Sequence, residues 1–95
     1  MASKFFRPAL STTFSALDSG ITEESIVTIM NDGGQVVRVV DAADASAAAT
    51  LDTGGTYMQL ASSASVVWKF RCKPARTFMK TEAGGVNLRV HIETP

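Results

Sequence analysis

An all-β fold, a small antiparallel β-sandwich or barrel of about seven short strands, is predicted by three features of this sequence. Runs rich in Val, Ile, Phe and Thr are short. Clusters of Gly, Asn, Asp and Ser punctuate them every eight to twelve residues or so. Two late stretches alternate strictly between apolar and polar side chains. With 95 residues, the chain suits one core, burying roughly 60–65% of the surface its unfolded form exposes. Residues 1–9 read as an N-terminal arm and residues 10–95 as a single β domain.

The arm is short, basic and aromatic (Lys4, Phe5, Phe6, Arg7), and Pro8 interrupts any helix there. Its two phenylalanines either cap the domain's own core or dock on a neighbouring subunit. Leu10–Leu17 follows as a Ser/Thr-rich strand ended by Asp18-Ser19-Gly20. Ile26–Met30 and Val36–Val40 flank Asn31-Asp32-Gly33-Gly34. Two β-branched runs around such a cluster predict a hairpin, because glycine supplies the positive φ of a tight turn. Both faces of this hairpin are apolar, which implies a sheet covered on both sides, or one covered by another subunit.

Asp41–Thr50 is rich in alanine and favours helix by propensity, but it lacks large apolar residues to hold a helix on a sheet. The expectation is a loop leading into a short strand, Ala48–Leu51. Asp52-Thr53-Gly54-Gly55 is the next turn, then come a strand over Thr56–Leu60 and a turn at Ala61-Ser62-Ser63. In Val66–Lys73 the apolar positions are Val66, Trp68, Phe70 and Cys72, set against Lys69, Arg71 and Lys73. In Val86–Glu93, Val86, Leu88, Val90 and Ile92 are apolar against Asn87, Arg89, His91 and Glu93. Period-two alternation puts each set on one face of its strand. Arg76–Lys80 between them reads as an edge piece or loop, and Ala83-Gly84-Gly85 as a turn. The expected core is Ile26 or Val27, Ile29, Val37, Val39, Leu51, Met58, Leu60, Trp68, Phe70, Leu88, Val90 and Ile92.

No residue set amounts to a catalytic site, and no enzyme activity, cofactor or metal is expected. Cys72 is the only cysteine and His91 the only histidine, so no disulfide or zinc cluster forms within one chain. A Cys72–His91 nucleophilic pair fails on parity, since the two fall on opposite faces of their strands. The glycine pairs open no helix followed by Lys-Ser/Thr, so no phosphate loop is indicated. Asp41, Asp44 and Asp52 lack the spacing of a calcium loop.

Charge is the informative feature. Residues 1–62 carry three basic and seven acidic side chains, residues 63–95 six and two. Lys69, Arg71 and Lys73 on one strand, with Arg89 and His91 on another, make a basic face if those strands pair. Such a face suits an acidic protein partner, the acidic half of an identical subunit, or nucleic acid. Stacking on bases would want exposed aromatics, whereas Trp68 and Phe70 point the other way. No stretch approaches the ~18 apolar residues of a membrane span, and a basic start without an apolar run predicts folding in a cytoplasm.

The stretch Val27-Thr28-Ile29-Met30-Asn31-Asp32-Gly33-Gly34 through Val39-Val40-Asp41-Ala42, then a Gly-rich turn and Thr56-Tyr57-Met58-Gln59-Leu60, resembles small virion structural proteins of tailed bacteriophages. The resemblance covers roughly residues 22–60. It implies a capsid decoration (cement) protein, or a neck or tail accessory, made in the host cytoplasm and resident in the virion. Its partners would be the major capsid protein or other virion subunits, and it would form a homo-oligomer on the particle. The expected contact residues are Lys4, Phe5, Phe6 and Arg7 of the arm, then Lys69, Arg71, Lys73 and Arg89 of the basic face.

Overall fold

The computed structural model describes residues 2–63, 65–83 and 86–95, with Asn87 described by its backbone alone. Met1 of the arm, the turn at Gly84-Gly85 and the side chain of Asn87 lie outside the described residues. In chain order the strands are β1 (Ala2–Phe6), β2 (Ala9–Leu10), β3 (Ser15–Ala16), β4 (Ser25–Met30) and β5 (Val37–Asp41). A helix, α1 (Ala45–Thr53), follows, then β6 (Met58–Leu60) and β7 (Val67–Cys72). A 3₁₀ turn (Pro74–Arg76), β8 (Thr77–Thr81), β9 (Val86–Asn87) and β10 (Arg89–Thr94) complete the chain.

Two antiparallel four-stranded sheets face each other, in the orders β1-β10-β4-β7 and β3-β8-β5-β6. The all-β sandwich expected from the sequence is therefore present. A short β2-β9 ribbon continues β1 and β10 past Pro8, whose carbonyl accepts from the Leu88 amide, and ties into β8 where the Thr81 amide donates to the Ser11 carbonyl. This ribbon closes one side of the sandwich. The opposite side, between edge strands β6 and β7, has no such ribbon among the described residues.

The main core lies between the sheets. Val27 and Ile29 of β4, Val90 and Ile92 of β10, and Val37, Leu60 and Met79 of the second sheet are all buried there, with Val86 and Leu88. The alternation over residues 86–92 is thus borne out, though it spans two strands that break at Leu88. Val27, not Ile26, is the inward residue of the pair.

The predicted hairpin does not form. β4 belongs to the first sheet and β5 to the second, so the Asn31–Val36 stretch is a corner between sheets. The physical reason lies in Asn31, which is fully buried. Its Nδ2 donates to the carbonyls of Gln35 (2.8 Å) and Leu60 (2.9 Å), and its Oδ1 accepts from the Gly33 amide. A side chain tied to β6 carries the chain out of the first sheet rather than back along it. Gly33 fits because a Cβ there would stand 2.5 Å from Val86 Cγ1, and Gly34 takes φ +84°.

Residues 45–53, expected as a loop and short strand, form α1. Asp44 caps it, accepting the Ala47 amide at 2.8 Å, and Gly54-Gly55 ends it with Gly55 at φ +76°. Its one large apolar side chain, Leu51, is partly buried, and the rest of the anchor comes from the sheet. Ala48 is fully buried against a second cluster containing Phe14, Val40, Ala42 and Phe78, and its small size lets the helix backbone approach closely. The second sheet is therefore covered on both faces, by the first sheet and by α1.

Arg76–Lys80, expected as an edge piece or loop, falls mostly in β8, an inner strand of the second sheet, with Met79 facing the main core and Phe78 the helix. Leu10–Leu17 is not one strand: it takes in the last residue of β2 (Ala9–Leu10) and, after a gap, β3 (Ser15–Ala16). The expected arm is not free: Ala2–Phe6 pairs along β10 from Ala2↔Thr94 to Phe6↔Val90. Met58, expected in the core, is 69% exposed.

Candidate functional site

The register of the first sheet fixes which side chains share its outer face. β4 pairs Thr28 with Lys69, Ile26 with Arg71 and Met30 with Val67. On its other side it pairs Met30 with Arg89, Thr28 with His91 and Ile26 with Glu93. β1 adds Phe5 opposite His91 and Ser3 opposite Glu93. Three rows therefore cross the sheet: Val67-Met30-Arg89, Lys69-Thr28-His91-Phe5, and Arg71-Ile26-Glu93-Ser3. β7 and β10 do not pair directly. They flank β4, which sets Lys69 about 10 Å from His91 at the usual strand spacing.

Phe5 and His91 are stacked, with ring centroids 4.1 Å apart and planes 15° from parallel. The Ser3 hydroxyl sits 2.7 Å from His91 Nε2. This fixes the imidazole against the Phe5 ring, while Phe5 remains 79% exposed. Val67, at the opposite edge, is 53% exposed. Between them a shallow depression of about 490 Å³ is lined by Phe5, Arg7, Met30, Val67, Arg89 and His91 among others. Ile26, Thr28 and Met30 are half-buried on this face, so the two-sided apolar character of the first hairpin strand corresponds to one core face and one open face.

The cations divide into two groups. Lys4 pairs with Asp18, Arg38 with Asp52 and Glu82, Lys80 with Asp52, Arg76 with Asp41, and Arg89 with Asp32. These pairs lie largely in the scaffold. The hydrogen bond from Lys4 holds the Asp18 carboxyl below the usual carboxylate range. For Asp52, desolvation works to raise the pKa, but the bonds from Lys80 and Arg38 outweigh it and hold the carboxyl low. Arg7, Lys69, Arg71 and Lys73 have no acidic partner within ion-pair distance among the described residues.

Of the eight expected contact residues, Phe5, Arg7, Lys69, Arg71 and Arg89 come together on this outer face. Lys4 and Phe6 do not. Their pleat positions face the other way, with Phe6 packed on the main core and the Lys4 ammonium over the Phe6 ring at 4.7 Å. Lys73 lies one residue beyond β7, ahead of the 3₁₀ turn. Val67 was not among the expected residues, and that it shares one sheet face with Met30 and Phe5 was not legible, because only the β1–β10–β4–β7 register joins them.

Cys72 lies on the inner face of β7, and His91 on the outer face of β10 with β4 between. Burial pushes the Cys72 thiol up, against a hydrogen bond with Thr77, so the side chain is a neutral apolar filler. Among the described residues no three His, Cys, Asp or Glu side chains gather in a way that could hold a metal ion. Among the described residues no helix is long and apolar enough to cross a membrane. No family model, curated protein or solved structure matches this chain.

Proposed function

We propose that this protein is a non-enzymatic structural subunit of a phage virion, a capsid decoration protein that adheres to the head shell through the outer face of the first sheet. The observation that carries the reading is the combination on that face of an exposed phenylalanine and valine with three cations, Arg7, Lys69 and Arg71, that have no acidic partner among the described residues. Apolar surface of this kind is stabilised by cover, at about 1.5–3 kcal/mol for a fully buried Phe side chain. Unpaired cations around it select an acidic partner and speed encounter. The choice of a head shell as partner rests on the sequence resemblance over residues 22–60. Each contact is modest, and many copies on a symmetric shell add up.

The test is co-sedimentation of the purified protein with empty phage heads. Binding is expected to weaken at least tenfold in Phe5→Ser and in Lys69→Glu/Arg71→Glu, and to fall as salt rises. Unchanged binding in both variants overturns the reading.

A second reading has its own observation. Phe5, stacked flat on His91 within a cationic sheet face, supports a platform for single-stranded nucleic acid, where bases stack on aromatics beside Lys and Arg. Three unpaired cations would give a slope of log affinity against log salt near −2, at about −0.7 per phosphate neutralised on a single strand. Titration of a fluorescent oligo(dT) at several salt concentrations measures it. A flat response, or no binding, removes this reading.

A further inference from the structure

The open side of the sandwich carries a second site, which meets the outer face of the first sheet at Arg71. By register, Met58 lies on the same face of the second sheet as Val39 and Met79, the face turned towards the core. Yet Met58 is 69% exposed and Val39 only half-buried. Across the gap, Phe70 and Cys72 occupy the inward positions of β7 and are also only half-buried. Four side chains at core-facing positions therefore border a slot of about 680 Å³. The strands on its two sides, β6 and β7, are both sheet edges with no strand paired on their outer side among the described residues.

An edge strand offers backbone donors and acceptors to any extended chain laid beside it. Charge at the mouth narrows the choice of chain. Arg71 and Lys73 line it without acidic partners, while Asp41 there is already held by Arg76 at 3.1 Å, leaving Glu24 as the one unengaged acid. A second copy presenting the same edge would set Arg71 and Lys73 against themselves, and the chain's own N-terminal strand is basic.

We propose that this slot docks an extended segment of a partner protein with apolar side chains at alternate positions and a carboxylate beside them. The segment adds as a strand to the β7 or β6 edge. Its alternate apolar side chains cover Met58, Val39 and Phe70, and its carboxylate meets Lys73 and Arg71. The volume falls in the range of about 300–1,000 Å³ typical of concave binding sites, and cover of the four half-exposed positions completes the core that the pleat pattern specifies.

A displayed library of random twelve-residue peptides, panned on the full-length protein, tests this. Enriched sequences are expected to alternate apolar residues and to contain Asp or Glu. A synthesised winner should lose at least tenfold in affinity to Met58→Glu and to Lys73→Glu, keep its affinity for Lys69→Glu, and shift the amides of residues 57–60 and 68–73. Met58 is exposed enough that its substitution leaves the fold intact, which circular dichroism checks. Failure to enrich such sequences, or winners indifferent to Met58→Glu, overturns the proposal. Winners lost only in Lys69→Glu overturn it as well, by placing the contact on the other face.

Discussion

At the scale of single residues, Asn31 is the side chain on which the most structure depends. It is uncharged, fully buried, and joins the end of β4 to Gln35 and Leu60 through hydrogen bonds that no apolar replacement reproduces. Asn31→Ala would leave the Leu60 carbonyl without that donor inside the core. A stability loss of about 2–3 kcal/mol is expected from two lost bonds and a stranded acceptor, read from chemical denaturation. An effect within 0.5 kcal/mol or so, the range of an ordinary surface change, would show that the corner does not depend on it. The same residue explains why the hairpin was misleading in the sequence. Asn-Asp-Gly-Gly carries the local chemistry of a turn whichever way the chain leaves it, and the choice is made by a partner 29 residues away. Met58 teaches the converse. Its pattern correctly marks an inward position, but pattern says nothing of whether anything arrives to cover it.

At the scale of elements, α1 shows how a short helix with a single large apolar residue, Leu51, is held. Its capping Asp44 and terminal Gly54-Gly55 were legible signals, but the expected anchor was sought within the segment. The anchor is supplied from below by Phe78, Phe14 and Val40, against which Ala48 packs. Asp44→Ala is expected to cost about 1 kcal/mol and to speed amide exchange over residues 45–53 while leaving β4 and β10 protected. Equal loosening of both regions would mean that the helix and the sheets melt as one unit. β8 was hidden for a related reason. Its residues alternate between two buried faces, Phe78 to the helix and Met79 to the core, so no polar face marks its period. β10 was plain because its outward positions, Arg89, His91 and Glu93, are polar.

At the scale of the whole molecule, the cations of the sequence resolve into a set paired with carboxylates and four, Arg7, Lys69, Arg71 and Lys73, with no acidic partner among the described residues. Asp18 and Asp52 are held below their ordinary values in the folded state by Lys4 and by Lys80 with Arg38. A depressed carboxylate contributes stability above its unfolded pKa of about 3.9 and loses it as pH falls through the lower folded value. Stability should therefore hold near neutral pH and decline below about pH 4, and thermal melts should show a shallower decline in Asp52→Asn. A variant with the same acid slope as the parent would remove Asp52 from that account. The sandwich itself and the inward face of β10 were readable in advance, whereas the inward face of β4 was not, because both of its faces are apolar. Nor was the outer face that gathers Phe5, Arg7, Lys69, Arg71 and Arg89, because it depends on the order β1-β10-β4-β7, set by pairings between distant parts of the chain.

Whether the outer face of the first sheet is the adhesive surface is tested most directly by footprinting. Lys69→Cys and Thr50→Cys, each in a Cys72→Ser background, would be alkylated free in solution and on sedimented phage heads. The account predicts that the thiol at position 69 is protected at least tenfold on the particle while the one at position 50, on the exposed side of α1, reacts at its free rate. Full reactivity at position 69 on the particle, with protection at position 50, would contradict it and move the contact to the helix side.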